Sequence, residues 1–394
     1  MKFVTLESLC SDIIDCPHST PKWLDEGIPV IRNFNLINGH IDTSNLSYVD
    51  EATYLERIKR ANPEEDDIII SREAPMGVVG MVPKGFKCCL GQRLVLLKVN
   101  RLKCSPQYLL YALLSDVVQK QINRIDLTGS IVSNLNIPDM KKLLIPIVDG
   151  DINKIGEYLN FIDENISNNN KIAQQLEAMT KTIYDYWFLQ FEFPNEEGKP
   201  YKSSGGKMVW NEELQRDIPE GWGSAKLKDV IVENPKSKIK VGDVKNIGEV
   251  PFFTSGAEIL STNDSIVSGL NCYLNTGGNA DVKYYYGEAS YSTDTWCITA
   301  EDGIKYILPF ILDKIKPSMD KVFFQGTGLR HLQKNLLREY SLCIPDNDVL
   351  KKFEKIARDI FVQQHNLLAE NRKLESLKEF LLPLLMNGQV TVGE

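Results

Sequence analysis

The 394-residue sequence lacks the closely paired cysteines and histidines that mark metal sites. Its eight cysteines include no C-x-x-C pair, only Cys88 and Cys89 are neighbours, and the four histidines are scattered. Structural zinc sites usually show ligand pairs at short spacing, and disulfide frameworks are typical of small secreted domains. We therefore expect no metal site, and we expect the cysteines to be reduced thiols in the protein interior.

Motifs of nucleotide-hydrolysing and DNA-modifying enzymes are also missing. The nearest string to a phosphate-binding loop, SSGGKM at 203–208, lacks both its spacing and its hydroxyl. The Asn-Pro pairs at 62–63 and 234–235 continue with Glu and Lys, whereas amino-methylating enzymes carry Asn-Pro-Pro-aromatic. A nuclease-like Glu-x-Lys at 197–199 lies in a polar segment and not beside a paired Asp on a strand. We expect no catalytic residue in this chain.

Long apolar runs are absent as well. No run approaches the roughly 20 residues that cross a bilayer, and the start, MKFVTLESLCSD, lacks the regions of a signal peptide. We expect a soluble, cytoplasmic protein that does not bind membranes. The net charge of −8 disfavours nucleic-acid binding, but residues 1–150 carry 17 basic and 18 acidic residues and 222–345 carry 14 of each. Net charge therefore leaves DNA binding open.

The sequence does contain an internal repeat. Residues 151–189 and 346–386 both carry mostly apolar residues at alternating steps of three and four, and the second series follows the first by 198 residues. Spacing of this kind over about five heptads predicts coiled-coil packing of two long helices. Paired positions on the predicted seam are Ile155, Ile162, Asn169, Leu176 and Ile183 in the first helix, and Phe353, Ile360, Leu367, Leu374 and Leu381 in the second.

The repeat extends upstream of both helices. Tyr-Leu-Leu at 108–110 and Tyr-Ile-Leu at 306–308 are 198 residues apart, and Thr-Gly pairs at 128–129 and 327–328 are 199 apart. Each Gly is followed 17 residues later by the Pro of an Ile-Pro pair. The amino-terminal parts of the halves match poorly, so the alternative is two unrelated domains that both end in helices. Coincident offsets at three features favour a true repeat.

The blocks before the helices combine short strand-like runs with glycine- and proline-rich loops. Candidate strands are 67–71 and 94–98 in the first half, with 284–286 and 296–299 as their expected counterparts. This pattern predicts mixed α+β domains and not a wound parallel sheet. The expected organisation is a domain at 1–150, a long helix at 151–189, a polar connector at 190–221, a second domain at 222–345 and a second long helix at 346–388.

Two strings in this organisation resemble the specificity subunits of Type I restriction–modification enzymes. One is the connector, with WF at 187–188, FEFP at 191–194, GKPYKSSGG at 198–206 and IPEGW at 218–222. The other is SREAPMG at 71–77, which follows DDIII at 66–70. The resemblance covers essentially the whole chain, including the order of two variable domains, each followed by a long helix.

The resemblance implies two target recognition domains that read the halves of a bipartite double-stranded DNA site. The two long helices would lie antiparallel as spacers, with pseudo-two-fold symmetry between the halves, and would dock two modification (methyltransferase) subunits. Those subunits would use S-adenosylmethionine, and motor–nuclease restriction subunits with ATP and Mg²⁺ would join for cleavage. The chain itself would bind none of these cofactors.

Candidate DNA contacts follow from residue type, because Arg and Lys suit guanine or phosphate, and Asn and Gln suit adenine. The candidates are Arg32, Asn33, Arg57, Lys59, Arg60, Arg72, Gln92 and Arg93 in the first half, and Lys236, Lys238, Lys240, Asn279, Lys283, Arg330 and His331 in the second. Backbone amides at Gly129, Ser130 and Gly328 could bind phosphate or form structural turns. The seam asparagines, Asn169 and Asn371, either set the register of the helices or face solvent.

Three other functions remain as alternatives at this stage. The chain could be a coiled-coil protein scaffold that binds no DNA, or an orphan or silent specificity protein. A stand-alone methyltransferase or nuclease is disfavoured by the missing motifs.

Overall fold

The computed structural model describes residues 1–128, 134–301 and 303–392 and divides into two compact units. Unit 1 comprises Met1–Ile166 together with Lys373–Glu394, and unit 2 comprises Ser167–Arg372. Each long helix is therefore divided, with one part in unit 1 and the other part in unit 2. Among the helices in these ranges, none is long and apolar enough to cross a membrane.

Unit 1 is a mixed α+β domain with eleven strands in its described part. Its elements are β1 (Lys2–Thr5), α1 (Leu6–Leu9), β2 (Cys10–Asp15), β3 (Ile28–Ile31), β4 (Leu36–Ile37), β5 (His40–Ile41), β6 (Ser47–Val49), α2 (Glu51–Ile58), β7 (Ile68–Ser71), β8 (Val79–Met81), β9 (Cys89–Leu90), β10 (Leu94–Val99), α3 (Pro106–Leu114), α4 (Asp116–Thr128), α5 (Ile137–Lys141), β11 (Leu144–Ile147) and the first part of α6 (Ile152–Tyr184). A four-stranded sheet has the order β2-β10-β7-β8, and a three-stranded sheet has the order β6-β3-β9.

Unit 2 repeats this arrangement. It contains the rest of α6, then β12 (Met208–Asn211), β13 (Arg216–Pro219), β14 (Gly223–Lys226), α7 (Leu227–Val230), β15 (Ile231–Glu233), β16 (Val250–Phe253), β17 (Ile259–Thr262), β18 (Leu270–Asn275), β19 (Val282–Tyr286), β20 (Ser290–Tyr291), β21 (Thr295–Ala300), α8 (Ile304–Ser318), β22 (Phe324–Gln325), β23 (His331–Leu332), α9 (Lys334–Arg338), β24 (Ser341–Ile344) and most of α10 (Asn347–Met386). The sheet orders are β15-β21-β18-β19 and β17-β16-β20.

The topological match covers the amino-terminal parts of the halves too. The pair β1–β11 corresponds to β14–β24, and the parallel pair β3–β9 corresponds to β16–β20. One expected counterpart was wrong: β7 corresponds to β18, whereas the Tyr284–Tyr286 run lies in β19, which matches β8. The sequence did not predict β18, LNCYLN, because its two asparagines interrupt the apolar pattern. The strand is nevertheless buried along its whole length.

The long helices pack together, as the repeat predicted. In unit 2, Asn169 Nδ2 donates to Asn371 Oδ1 over 2.9 Å, and Gln364 Nε2 donates to the Ala173 carbonyl oxygen over 3.0 Å. Residue numbers rise along one helix as they fall along the other, so the pair is antiparallel. In unit 1, Lys378 similarly faces Asp163. None of the ten seam positions named above is exposed.

Both long helices begin after an aspartate whose carboxylate caps free backbone amides. Asp151 Oδ1 accepts from the Asn153 amide over 3.0 Å, and Asp346 Oδ1 accepts from the Val349 amide over 3.0 Å. The second helix ends at Met386, where Gly388 adopts a φ of +68° and donates to the Leu385 carbonyl oxygen. This Schellman ending explains why the Asn-Gly pair terminates the helix.

A glycine allows the start of each short helix α3 and α8 to approach the following long helix closely. In unit 1 the glycine is Gly156 of α6, where an added Cβ would lie 2.4 Å from the Tyr108 nitrogen. In unit 2 it is Gly303, before α8, where an added Cβ would lie 2.8 Å from Leu350 Cβ. The same contact therefore recurs in both halves. The glycine belongs to the long helix in unit 1 and to the start of the short helix in unit 2.

The connector is ordered and packs on unit 2. Residues 208–219 form the β12–β13 hairpin, and the aromatic residues before it belong to the unit 2 core. Phe193 stacks between Tyr201 and Trp222, with ring centroids 4.6 and 5.2 Å apart. The aromatic residues around the end of α6 therefore pack against their own domain.

The eight cysteines are all free thiols, six of them buried. Burial raises the pKa of the Cys88 thiol to about 12, and also raises that of Cys16. Such thiols stay protonated at neutral pH and are poor nucleophiles.

Candidate nucleic-acid interface

Three loops meet at one edge of the unit 1 sheets. They follow β3, join β7 to β8, and join β9 to β10. The Gly91 amide donates to the Ile31 carbonyl oxygen over 2.7 Å, and the Arg72 amide donates to the Arg93 carbonyl oxygen over 2.8 Å. Asn33 Nδ2 donates to the Glu73 carbonyl oxygen, which connects the first loop to the second. Parallel pairing of β3 with β9 brings their carboxyl ends to the same edge.

Four of the predicted DNA-contact residues line one surface cavity of about 340 Å³ at this edge. They are Arg32, Asn33, Gln92 and Arg93, and they lie beside two aromatic residues, Trp23 and Phe34. Both aromatic side chains are exposed, Trp23 by 37% and Phe34 by 48%. The cavity thus combines amide and guanidinium donors with aromatic faces, the groups that proteins use to bind bases.

The guanidinium of Arg32 is held by these two rings. Its central carbon lies 5.1 Å from the centroid of Trp23 and 4.8 Å from that of Phe34. Its hydrogen bond to Ser47 Oγ is long, 3.4 Å. The backbone at Arg32 is fixed separately, because its amide donates to the side-chain oxygen of the buried Asn35 over 2.9 Å.

The remaining cations at this edge pair with carboxylates. Arg93 Nε lies 3.2 Å from Glu73 Oε2, although the Arg93 side chain is 55% exposed. Arg72 Nη1 donates to Asp15 Oδ1 over 3.0 Å, and its other nitrogens contact residues 134 and 135. Arg60 also lies near Asp15, at 3.7 Å. Arg72 therefore serves mainly to connect loops, while Arg93 stays accessible.

The structure separates Arg57 from the interface. Its side chain is 4% exposed, and its guanidinium donates to the carbonyl oxygens of Leu90 and Ser19 over 2.7 to 3.0 Å. Because its N–H donors are engaged inside the domain, the Arg57 guanidinium has no pair of donors available for a base. Lys59 is exposed at the end of α2. Charge in the sequence could not distinguish these two residues.

Unit 2 connects its loops in the same way. The Ser292 amide donates to the Phe253 carbonyl oxygen over 2.9 Å, and the Thr276 amide donates to the Asp294 carbonyl oxygen over 3.2 Å. The β22–β23 hairpin joins this edge, since the Leu332 amide donates to the Thr276 carbonyl oxygen over 3.0 Å. The loops of the two units therefore share a backbone frame.

Asn279, Arg330 and His331 meet in this second cluster. Arg330 Nη2 donates to Asn279 Oδ1 over 2.6 Å and also contacts Asp320 Oδ1 at 3.1 Å. His331 is exposed and its backbone pairs with Gly277. Gly328 is exposed near the hairpin tip, next to Leu329, which is 66% exposed. Gly129 and Ser130, the corresponding loop positions of the first half, lie outside the described residues.

The predicted lysines of unit 2 differ in accessibility. Lys283 is only 15% exposed, because its Nζ donates to the Gly256 carbonyl oxygen over 2.7 Å and pairs with Asp281 at 3.0 Å. It stabilises the loop after β16 and is poorly placed for DNA. The three predicted lysines between β15 and β16 are all exposed: Lys236, Lys238 and Lys240.

One group of side chains in the described ranges has the spacing of a metal site. Ligand atoms of Asp15, Cys16 and His18 lie within 4.8 Å of one another. The Asp15 carboxylate already binds Arg72 and lies 2.9 Å from His18 Nε2, while burial raises the pKa of Cys16. Guanidinium groups beside the carboxylate and a protonated thiol disfavour a cation here.

Comparison with known proteins finds proteins that are similar to this chain. Residues 2–178 match the family model for the Type I restriction modification DNA specificity domain. Over 83% of its length the chain is 24% identical to the Type I restriction enzyme MjaIX specificity subunit of Methanocaldococcus jannaschii, of which it covers 78%. A putative MjaX specificity subunit from the same organism is 25% identical, with 93% of this chain and 88% of the relative covered.

Residues 2–178 thus carry the DNA specificity domain of Type I restriction–modification systems, and over most of its length the chain is similar to specificity subunits of that family. Its fold agrees with a crystal structure of the S subunit from M. genitalium, at a TM-score of 0.61 and 16% identity over 97% of this chain and 95% of that one. A specificity subunit is the non-catalytic, DNA-specifying component of its system, and the fold class predicted from the repeat is confirmed.

Trp23 and Phe34 line the candidate interface, and residue type alone did not predict them. Phe34 directly follows Arg32 and Asn33 in the sequence. An aromatic residue next to polar residues of the types that bind bases could therefore have predicted it. Trp23 lies nine residues before Arg32, and only the fold brings the two side chains together. Leu329, at the hairpin tip of unit 2, carried no comparable signal.

Proposed function

We propose that this specificity subunit recognises a bipartite double-stranded DNA site, one half through the loop edge of unit 1 and the other through that of unit 2. The observation that carries the proposal is that corresponding backbone hydrogen bonds connect the loops of both units, while the side chains on those loops differ. By their backbone bonds, Arg72 and Arg93 in unit 1 correspond to Thr276 and Asp294 in unit 2. A conserved frame with divergent donors suits two half-sites of different sequence.

We further propose that the long helices set the number of unread base pairs between the half-sites. At 1.5 Å per residue, the 33 residues of α6 and the 40 residues of α10 correspond to about 50 and 60 Å. Each helix contributes residues to both units. Rigid helices can define a separation that a flexible connector cannot.

The helices are also the proposed docking surface for two modification subunits. Large apolar side chains away from the seam remain exposed on them: Phe161, Ile172, Met179, Leu377 and Phe380. Exposed apolar residues along paired helices support a protein partner. In this proposal the modification subunits carry S-adenosylmethionine and methylate adenine, and motor–nuclease subunits bring ATP and Mg²⁺.

Exchange of residues 1–150 for the corresponding segment of another specificity subunit tests the proposal. Methylated adenines are mapped by single-molecule sequencing in cells that carry the modification subunits with the parent or the exchanged chain. We expect one half of the methylated motif to change while the other half and the gap persist. An unchanged motif contradicts domain-wise reading. Assembly without sequence-specific DNA binding would indicate a protein scaffold, and modification of DNA by the purified chain alone would indicate a stand-alone enzyme.

A further inference from the structure

Arg32 differs from the other arginines at the loop edge of unit 1 in what surrounds its guanidinium. Arg72 and Arg93 pair with carboxylates, and Arg57 donates to carbonyl oxygens. Arg32 contacts two aromatic faces and makes one long hydrogen bond, to Ser47. Among the described arginines that reach the surface at this edge, Arg32 is the one whose guanidinium pairs with no carboxylate.

Contact with the faces of Trp23 and Phe34 orients the fork of this guanidinium without engaging its donors. A guanidinium stacks on aromatic rings through its plane, whereas its N–H groups point outward within that plane. The backbone is fixed as well, because Asn35 is fully buried and donates to the carbonyl oxygens of Asp42 and Asn45 over 3.2 and 3.0 Å. An oriented fork loses less conformational freedom on binding than a flexible one.

A planar pair of N–H donors matches the O6 and N7 acceptors of guanine in the major groove, and no other base edge there offers two adjacent acceptors. A phosphate also accepts from arginine, but phosphate contacts are made by many kinds of side chain and by backbone amides, and they do not require a planar pair of donors. The recess beside Arg32 is also lined by two side-chain amides, Asn33 and Gln92, whose nitrogens donate to the carbonyl oxygens of Glu73 and His18 and whose oxygens can accept from a base. This setting favours a base over the backbone.

We propose that Arg32 reads a guanine in the half-site of unit 1, held for this purpose between Trp23 and Phe34. The inference rests on the proposed function and names one base of its target. In unit 2 the equivalent position after β16 is Thr254, whose side chain is buried and donates to the Glu258 carbonyl oxygen over 2.8 Å. Reading by such an arginine is therefore specific to the first half-site.

The test uses the complex of this chain with its modification subunits. The methylated motif is mapped for the parent, Arg32→Ala, Arg32→Lys and the control Arg101→Ala. Arg101 carries the same charge on the same domain, is 63% exposed and pairs with Asp66 beyond the other end of β10. Binding is then measured on duplexes in which each guanine of the first half-site is replaced in turn by 7-deazaguanine, which lacks the N7 acceptor.

We expect Arg32→Ala to lose preference for one guanine·cytosine pair of the half-site assigned to residues 1–150, with a roughly 5- to 150-fold fall in discrimination there. Arg32→Lys should restore it only in part, because an ammonium cannot form the fork. The parent should bind one 7-deazaguanine duplex several-fold more weakly, and Arg32→Ala should not distinguish that duplex from the unmodified one. Arg101→Ala should keep the parental motif.

Three results would overturn the inference. They are an unchanged motif in Arg32→Ala, a first half-site without guanine, and a loss of affinity that is equal for all sequences. The last would make Arg32 a phosphate contact. The 7-deazaguanine series on the parent keeps the inference testable even if a variant folds poorly. A parent complex without any sequence preference would instead overturn the proposed function, and this inference with it.

Discussion

Arginines that look equivalent in the sequence have different roles because their guanidinium groups meet different acceptors. Arg32 lies between two rings at the surface, whereas Arg57 is buried among carbonyl oxygens. A buried guanidinium must have its donors satisfied, because each unpaired charged group costs several kcal/mol. The Arg57 bonds join α2 to the segments around Leu90 and Ser19, so its role is to stabilise unit 1.

Replacement of Arg57 should therefore affect folding and not base recognition. We expect Arg57→Ala to lower the free energy of unfolding of unit 1 by about 2–4 kcal/mol, since several carbonyl oxygens lose their donor. Urea denaturation measures this, and the neighbouring exposed Lys59→Ala should change stability by less than about 0.5 kcal/mol. If Arg57→Ala kept parental stability but altered the methylated motif, the structural role assigned to this residue would be incorrect.

Asp163 is the main buried carboxylate of the helix pair in unit 1. It is 4% exposed, lies 2.6 Å from Lys378 Nζ, accepts from the Tyr111 hydroxyl over 2.7 Å and lies 3.4 Å from His40 Nε2. Burial alone raises the pKa of Asp163, but the hydrogen bonds from His40, Lys378 and Tyr111 outweigh it and leave the pKa below its usual value. The charged form is thus the one that the fold stabilises.

The lowered pKa of Asp163 fixes the sign of a pH effect. A carboxylate with a depressed pKa contributes stability above the ordinary Asp pKa of about 4, and this contribution is lost as pH falls through the folded value. We expect Asp163→Asn to destabilise unit 1 by about 1–3 kcal/mol at pH 7 and by less below pH 4. Urea titrations at both pH values measure this. The exposed Asp116, paired with Lys120 at 3.1 Å, gives a control in Asp116→Asn, which should change little.

Among the elements, the long helices show a polar pair on an otherwise apolar seam. Asn371 is 5% exposed, accepts from Asn169 over 2.9 Å and donates to Asn170 Oδ1 over 2.8 Å. A buried polar pair of this kind tends to fix register at some cost in stability. The geometry favours a register role over exposure to solvent.

A double-mutant cycle on the two asparagines separates these contributions. Asn371→Leu alone should destabilise the helix pair by about 1–3 kcal/mol, because Asn169 and Asn170 lose a buried partner. Asn169→Leu with Asn371→Leu should be close to neutral or stabilising, since both sides of the pair become apolar. Thermal unfolding measures each variant. Additive losses in the double variant would show that the asparagines do not act as a pair.

The helices could be predicted from the sequence because a single periodicity determines them, whereas the strand predictions found β7, β10, β19 and β21 but missed the counterpart of β7. Ile68–Ser71 reads as an apolar strand, but its counterpart Leu270–Asn275 contains two asparagines that are buried through hydrogen bonds. Backbone pairing does not depend on side-chain type, so the two halves contain corresponding strands whose sequences differ. Residue types suited to base binding pointed to the candidate edge of unit 1, but the burial of Arg57 and the approach of Trp23 to Arg32 depend on contacts far apart in the chain.

At the scale of the whole molecule, two duplicated units alternate with two helices that continue from one unit into the other. The boundaries between the units fall after Ile166 in α6 and after Arg372 in α10. We therefore expect residues inserted at these two points to leave the interior of each unit unchanged. This provides a direct test of the proposed spacer role.

Insertion of four residues after both Ile166 and Arg372 adds about 6 Å to each helix and rotates it by about 40°, because a turn contains 3.6 residues. At 3.4 Å per base-pair step, the unread gap should lengthen by one or two base pairs, with both half-sites unchanged. The methylated motif, mapped by single-molecule sequencing, reports the sequences of both half-sites and the length of the gap. Insertion into α6 alone leaves helices of unequal length and should lower stability without defining a new gap. An unaltered gap with insertions in both helices would exclude the spacer mechanism, yet it would leave base reading by the loop edges intact, because those loops lie within the units.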